Sequence, residues 1–162
     1  MPSVPILTRC LAFSAALTIA GFGTTAWPMV RAISTGTQSI NNAAWTSVDL
    51  DDTDVIDTDT MHNPASNPSR LTATTAGHYL ITGTVTWENS VNASLRLRVL
   101  RNGAGSALAT THFQNAGSSG DEHTIQVACL VDATAADYFE LQFFHQKGSA
   151  GSIGGVLPAT AD

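Results

Sequence analysis

From residue 36 onward apolar and polar residues alternate with a period of two, the signature of half-buried β-strands, and helical periodicity is hard to find. In "HYLITGTVTW" (78–87), Tyr79, Ile81, Val85 and Trp87 share one face while Thr82, Thr84 and Thr86 share the other. "ASLRLRVLRNG" (93–103) directs Leu95, Leu97 and Val99 inward and Arg96 and Arg98 outward. It ends in Asn-Gly, a pair that accepts positive φ and so favours a tight hairpin. "SALATTHFQ" (106–114) is the expected return strand. "EHTIQVACLVD" (122–132) sets Ile125, Val127, Cys129 and Val131 in register, "ATAAD" turns the chain, and "YFELQFFHQ" (138–146) places Phe139, Leu141 and Phe143 on one face. "TQSINNAAWTSVDLD" (37–51) suggests two short strands around an Asn-Asn turn, and the Gly/Ser-rich "KGSAGSIGG" (147–155) suggests a loop. Many short strands separated by turn signals imply an all-β sandwich or barrel.

One stretch breaks the alternation. "DTDTMHNPASNPSRLT" (57–72) combines acids, a Met-His pair and two Asn-Pro dipeptides. Asp52, Asp54, Asp57 and Asp59 are candidate calcium ligands, because calcium prefers carboxylate oxygens. The segment lacks the central Gly and terminal Glu of an EF-hand loop, so a solvated loop whose carboxylates cap local amides competes with that reading. His62 has no second His at metal spacing, which disfavours zinc. Asn-Pro pairs start turns and keep the preceding Asn extended. The stretch is therefore expected to be a long connection leading the chain into the sheet, followed by "SRLTATTAGHYLI" as strand, Ala-Gly turn and strand.

The first thirty-five residues differ from the rest. They are apolar, with Arg9 and Arg31 as their only charges, whereas all 13 acids of the chain come later. Two readings compete. Residues 1–26 can be a secretory signal peptide cleaved after Ala26. Alternatively residues 1–35 form an arm that stays on the protein and docks on a partner through Ile6, Leu7, Leu11 and Phe13, since apolar segments require cover. The run is too short and Gly-broken for a membrane span. The arm reading is favoured, leaving 36–162 as one domain.

Charged residues make up 12% of the chain, about half the usual share. The formal net charge of −6 leaves no basic patch for a nucleic acid. Cys10 and Cys129 lie in unlike contexts, so no disulfide is expected. No Gly-x-Ser-x-Gly motif occurs, and the 5 histidines are scattered singly. Glu122 and His123 point to opposite faces if both lie on a strand. Glu88 and Glu140 are the only strand-associated glutamates, a weak candidate pair for glycoside chemistry. The expectation is a protein without catalytic activity and without a cofactor, calcium being the one candidate.

The order Asp57-Thr58-Asp59, Met61-His62, Asn67, Ser69-Arg70-Leu71-Thr72, Ala76-Gly77, Tyr79-Leu80-Ile81, Gly83 and Trp87 resembles the bacterial and bacteriophage branch of the complement globular-head / tumour-necrosis-factor-like jelly rolls. "LRVLRNG" (97–103) is similar to that branch's Arg-rich strand and Asn-Gly turn. "ADYFELQFFHQKGSAGSI" (136–153) is similar to its Gly-Asp-Tyr strand and Gly-rich loop, with Ala136 where a Gly is usual. The resemblance spans about residues 34–157. It implies a jelly-roll sandwich of about ten strands and a homotrimer with one sheet of each subunit facing the three-fold axis. If Phe139, Leu141 and Phe143 fill the core, Tyr138, Gln142 and Phe144 face outward and are the candidate trimer contacts; packing of Phe144 under a loop is the alternative. The resemblance further implies a virion-surface protein. It would be a capsid decoration or short spike held to capsid or tail by residues 1–35, with a host-surface glycan as a candidate partner. The alternative is a secreted trimeric saccharide- or surface-binding module. The family usually has one more apolar strand after the Gly-rich loop, so the last strand is expected to be missing or supplied by a partner.

Overall fold

The computed structural model describes residues 13–15, 28–89, 92–115 and 122–154. These residues form twelve strands and no helix: β1 Phe13–Ala15, β2 Val30–Ala32, β3 Thr37–Ile40, β4 Thr46–Ser47, β5 Ile56–Asp57, β6 Arg70–Thr72, β7 Gly77–Trp87, β8 Ala93–Arg101, β9 Ala104–Asn115, β10 His123–Ala133, β11 Tyr138–Gln146 and β12 Gly151–Gly154.

The strands divide into a seven-stranded and a five-stranded sheet, and every pairing is antiparallel. In the larger sheet β10 pairs with β7 along its whole length, from Trp87 opposite His123 to Gly77 opposite Ala133. The other edge of β7 is shared. β12 pairs there at Thr86 and Trp87 and carries β3 on its far side. β1 pairs with Ile81 and Thr82 and carries β2, then β5. In the smaller sheet β8 lies between β9 and β11, and both β4 and β6 line the outer edge of β11. Successive strands alternate between sheets (β6 small, β7 large, β8 and β9 small, β10 large, β11 small, β12 large), the connectivity of a jelly-roll sandwich.

The period-two pattern predicts the core well. Tyr79, Ile81, Val85 and Trp87 of β7, Leu95, Leu97 and Val99 of β8, and Phe139, Leu141 and Phe143 of β11 are all buried. Trp87 stacks on Phe143 with ring centroids 5.7 Å apart and meets His145 at 4.5 Å. The Asn-Gly hairpin forms as expected, with φ of 54° at Asn102 and 64° at Gly103, and returns the chain as β9. Gly83 faces the opposite sheet. A Cβ there would sit 2.6 Å from Leu141 Cδ1, so the missing side chain allows the sheets their close approach.

One expectation is corrected and two are refined. The segment 147–155 is not all loop, because Gly151–Gly154 forms β12. The reason is tertiary: a Cβ at Gly151 would overlap the Trp87 ring, so a residue that signals a loop here makes room for the largest core side chain. β12 lies within the Gly-rich segment itself, and the residues after Gly154, where the family's further strand would follow, lie outside the described residues. β1, from the amino-terminal segment, takes up a further part of the same β7 edge. The two short strands expected in 37–51 form on either side of a turn, but they join different partners: β3 pairs with β12 and β4 with β11, and the left-handed residue is Ala43 (φ 56°). Likewise the expected strand, turn and strand of 69–81 are β6 and β7, which pass from one sheet to the other.

Candidate interaction surfaces

The connection 49–69 is braced by its own polar side chains. Asp57 accepts three backbone amides, from Asp59 at 3.2 Å, Met61 at 3.0 Å and His62 at 3.0 Å. The buried His62 ring places Nδ1 2.7 Å from Asp54 Oδ1 and Nε2 3.0 Å from the Pro68 carbonyl. Asp52 accepts from the Thr35 hydroxyl at 2.6 Å and from the Thr53 amide at 2.7 Å, and these bonds hold its carboxyl below the usual range. Asp59 accepts from the Thr74 hydroxyl. The four calcium candidates thus have separate partners, and among the described residues no three His, Cys, Asp or Glu side chains converge in a metal-binding group.

The outer face of the smaller sheet carries Tyr138, Gln142 and Phe144, the candidate trimer contacts. Phe144 is covered from within the chain, while Tyr138 and Gln142 are half-buried and partnered by arginines. Phe144 is 9% exposed, with Trp45 at 5.2 Å and the Arg96 guanidinium at 5.2 Å from its ring centroid. Gln142 Oε1 accepts from Arg98 Nε at 3.0 Å and Nη2 at 2.7 Å, while its amide donates to the Ser47 hydroxyl. Arg98 lies 4.0 Å from the Trp45 ring centroid, and burial lowers its pKa. Arg70 lies 4.3 Å from the Tyr138 ring centroid. Trp45, from the β3–β4 connection, gives Phe144 the loop packing that was its alternative explanation.

The outer face of the larger sheet is different. Leu80 and Leu130 are directly paired across β7 and β10, and they remain 43% and 71% exposed. Beside them Ala128 pairs with Thr82, Gln126 with Thr84 and Thr124 with Thr86. The result is an uncharged, threonine-rich surface with an apolar centre, flanked by His78 and Asp132 at 3.3 Å. Sequence reasoning missed these leucines, although a signal existed. Each stands in the polar phase of its strand, and antiparallel pairing brings both out-of-phase positions together.

The remaining candidates are scattered. Phe13 opens β1, while Ile6, Leu7 and Leu11 lie outside the described residues. Glu140 on β11 binds Ser69 and Arg70, whereas Glu88 follows β7 and meets the Thr37 hydroxyl at 3.5 Å, so the two glutamates serve different sheets. Cys129 is a free thiol whose pKa is raised by burial. No described helix is long and apolar enough to cross a membrane.

No family model and no curated protein matches the chain. Among solved structures the chain is similar to the Eiger TNF of S. frugiperda, with a TM-score of 0.47 and 11% identity, over 95% of this chain and 99% of that chain.

Proposed function

We propose that this chain is a non-enzymatic structural protein of a bacteriophage particle, a homotrimeric jelly roll displayed on the virion surface as a decoration or short spike. The exposed Leu80–Leu130 pair carries the assembly part of this reading. An uncharged sheet face with an apolar centre is unfavourable in water and is covered economically by identical subunits around a three-fold axis. The trimer contacts thereby move from Phe144, which the chain covers itself, to the bare face of the larger sheet. No cofactor is assigned.

β1 supports retention of the amino-terminal segment. Cleavage after Ala26 would remove the strand that pairs with Ile81 and Thr82 of β7 and with β2. Under this reading residues 1–12 attach the trimer to capsid or tail. The resemblance of residues 57–87, 97–103 and 136–153 to the bacterial and phage branch supports a virion or bacterial-surface setting, and the retained arm favours the particle.

Intact mass of the chain from its native source, together with protein identification in purified particles, tests the reading. A chain beginning at Met1 or Pro2 and present in particles is expected. A chain beginning at Trp27, found in the medium and absent from particles, would replace the reading with a secreted binding module.

A further inference from the structure

A cavity of 390 Å³ opens at the β6 edge of the smaller sheet, and apart from Tyr138 its whole lining comes from residues 60–72. This is the stretch that broke the strand pattern. We propose that the cavity is a saccharide-binding site, one hexose-sized unit of a glycan filling it.

Its volume lies in the range of small-molecule sites. The lining carries hydroxyls from Thr60, Ser66 and Thr72 and amides from Asn63 and Asn67, beside the apolar Met61 and the Tyr138 ring. Among the described residues the hydroxyls of Thr60 and Thr72, the side-chain NH2 of Asn63 and the side-chain carbonyl of Asn67 have no hydrogen-bond partner. A mixed set of open donors and acceptors suits a ligand whose every hydroxyl both donates and accepts. An apolar ligand would leave these groups desolvated and unpaired.

Charge argues against a simple anion. Arg70 is the only Arg or Lys in the lining, and its Nε already donates to Glu140 Oε1 at 3.2 Å. Stacking on Tyr138 holds the guanidinium in place, leaving its terminal NH groups as oriented donors.

The walls are preorganised, which lowers the entropic cost of binding. Asp57 gathers the three amides that shape the start of the loop, His62 is held at both ring nitrogens, and Asn63 Oδ1 accepts from the amides of Ala65 and Ser66, both at 3.1 Å. Thr60 and Asn67 hold φ of 54° and 60°, left-handed values rare for a β-branched residue such as Thr60.

The site deepens the surface-contact part of the proposed function and rests on it. It is tested on the full-length chain by amide chemical shifts during titration with glucose, galactose, mannose, rhamnose, N-acetylglucosamine and N-acetylgalactosamine, with sodium sulfate as the anion probe. Saturable shifts confined to residues 60–72 and 138 are expected with at least one sugar, at a Kd on the order of millimolar. Asn67→Gly, which keeps the left-handed backbone, and Thr72→Val, which keeps the shape, should each weaken binding about fivefold or more with an unchanged melting temperature. Absence of shifts with every sugar, shifts elsewhere, equal binding by both variants, or reproduction of the shifts by sulfate would each overturn the site. Those results leave trimer mass and particle association as independent readouts of the proposed function.

Discussion

The two outer faces of this sandwich both carry apolar side chains and treat them in opposite ways. On the smaller sheet, Phe144, Tyr138 and Trp45 are covered by Arg96, Arg70 and Arg98, whose aliphatic stems and planar guanidinium groups complete the surface within one chain. On the larger sheet, Leu80 and Leu130 pair with each other between the His78–Asp132 pair and the Thr82–Ala128 pair, and they stay exposed. Arg70, Arg96 and Arg98 stand where they cover the chain's own aromatics, and the proposed subunit contact lies on the uncovered face.

The sharpest way to break this contrast is to charge each face in turn. Phe144→Asp should destabilise the subunit by about 3 kcal/mol or more, since it removes a buried ring and buries a carboxylate. Chemical denaturation measures the loss, and an unaltered midpoint would mean that the Trp45–Arg96 cover is unimportant. Leu130→Asp should leave subunit folding nearly unchanged while shifting the light-scattering mass from three times 16.9 kDa toward 16.9 kDa. A mass that stays trimeric would move the interface off this face.

A smaller effect separates the core from both faces. His145 is fully buried; its Nε2 donates to the Ile40 carbonyl at 3.1 Å, its Nδ1 has no partner, and burial lowers its pKa below 6.5. The unfolded chain therefore takes up a proton before the folded one does. The contribution is fully present above pH 6.5 and is lost as pH falls through 6.5 toward the folded value. The melting temperature should drop between about pH 7.5 and about pH 5.5, and His145→Gln should flatten that slope. Asp137, held low by Asn102 and Thr134, acts in the same direction, but only around and below pH 3.8.

The smallest expected change lies in the β10–β11 turn. Ala136 holds φ of 73° where the resembling family has Gly, so Ala136→Gly should stabilise the domain by about 1 kcal/mol. Calorimetry would detect it, and a lower melting temperature would mean that the Cβ contributes packing worth more than the backbone strain.

The sequence by itself determined what depends on neighbours a few residues apart. Side chains alternate with a strict period of two, so the inward faces of β7, β8 and β11 were legible. The Asn102-Gly103 hairpin was legible too, because positive φ at both positions is a local demand. The acids of 49–59 were legible as a connection with capping by Asp57 as a local consequence, but the short β5 inside it, paired with β2, was not. Only the tertiary structure decided which strands pair. β3 and β4 are adjacent in sequence yet belong to different sheets, and Gly151–Gly154 becomes a strand because Trp87 lies over it. It also decided which outward residues are bare. Phe144 and Leu130 occupy equivalent outward phases, but Trp45, nearly a hundred residues from Phe144 in the chain, covers one and nothing described covers the other. The saccharide site arises in the same way, because Tyr138 joins residues 60–72 only through the pairing of β6 with β11. Burial is a property of what arrives from far along the chain, and a local pattern carries no record of it.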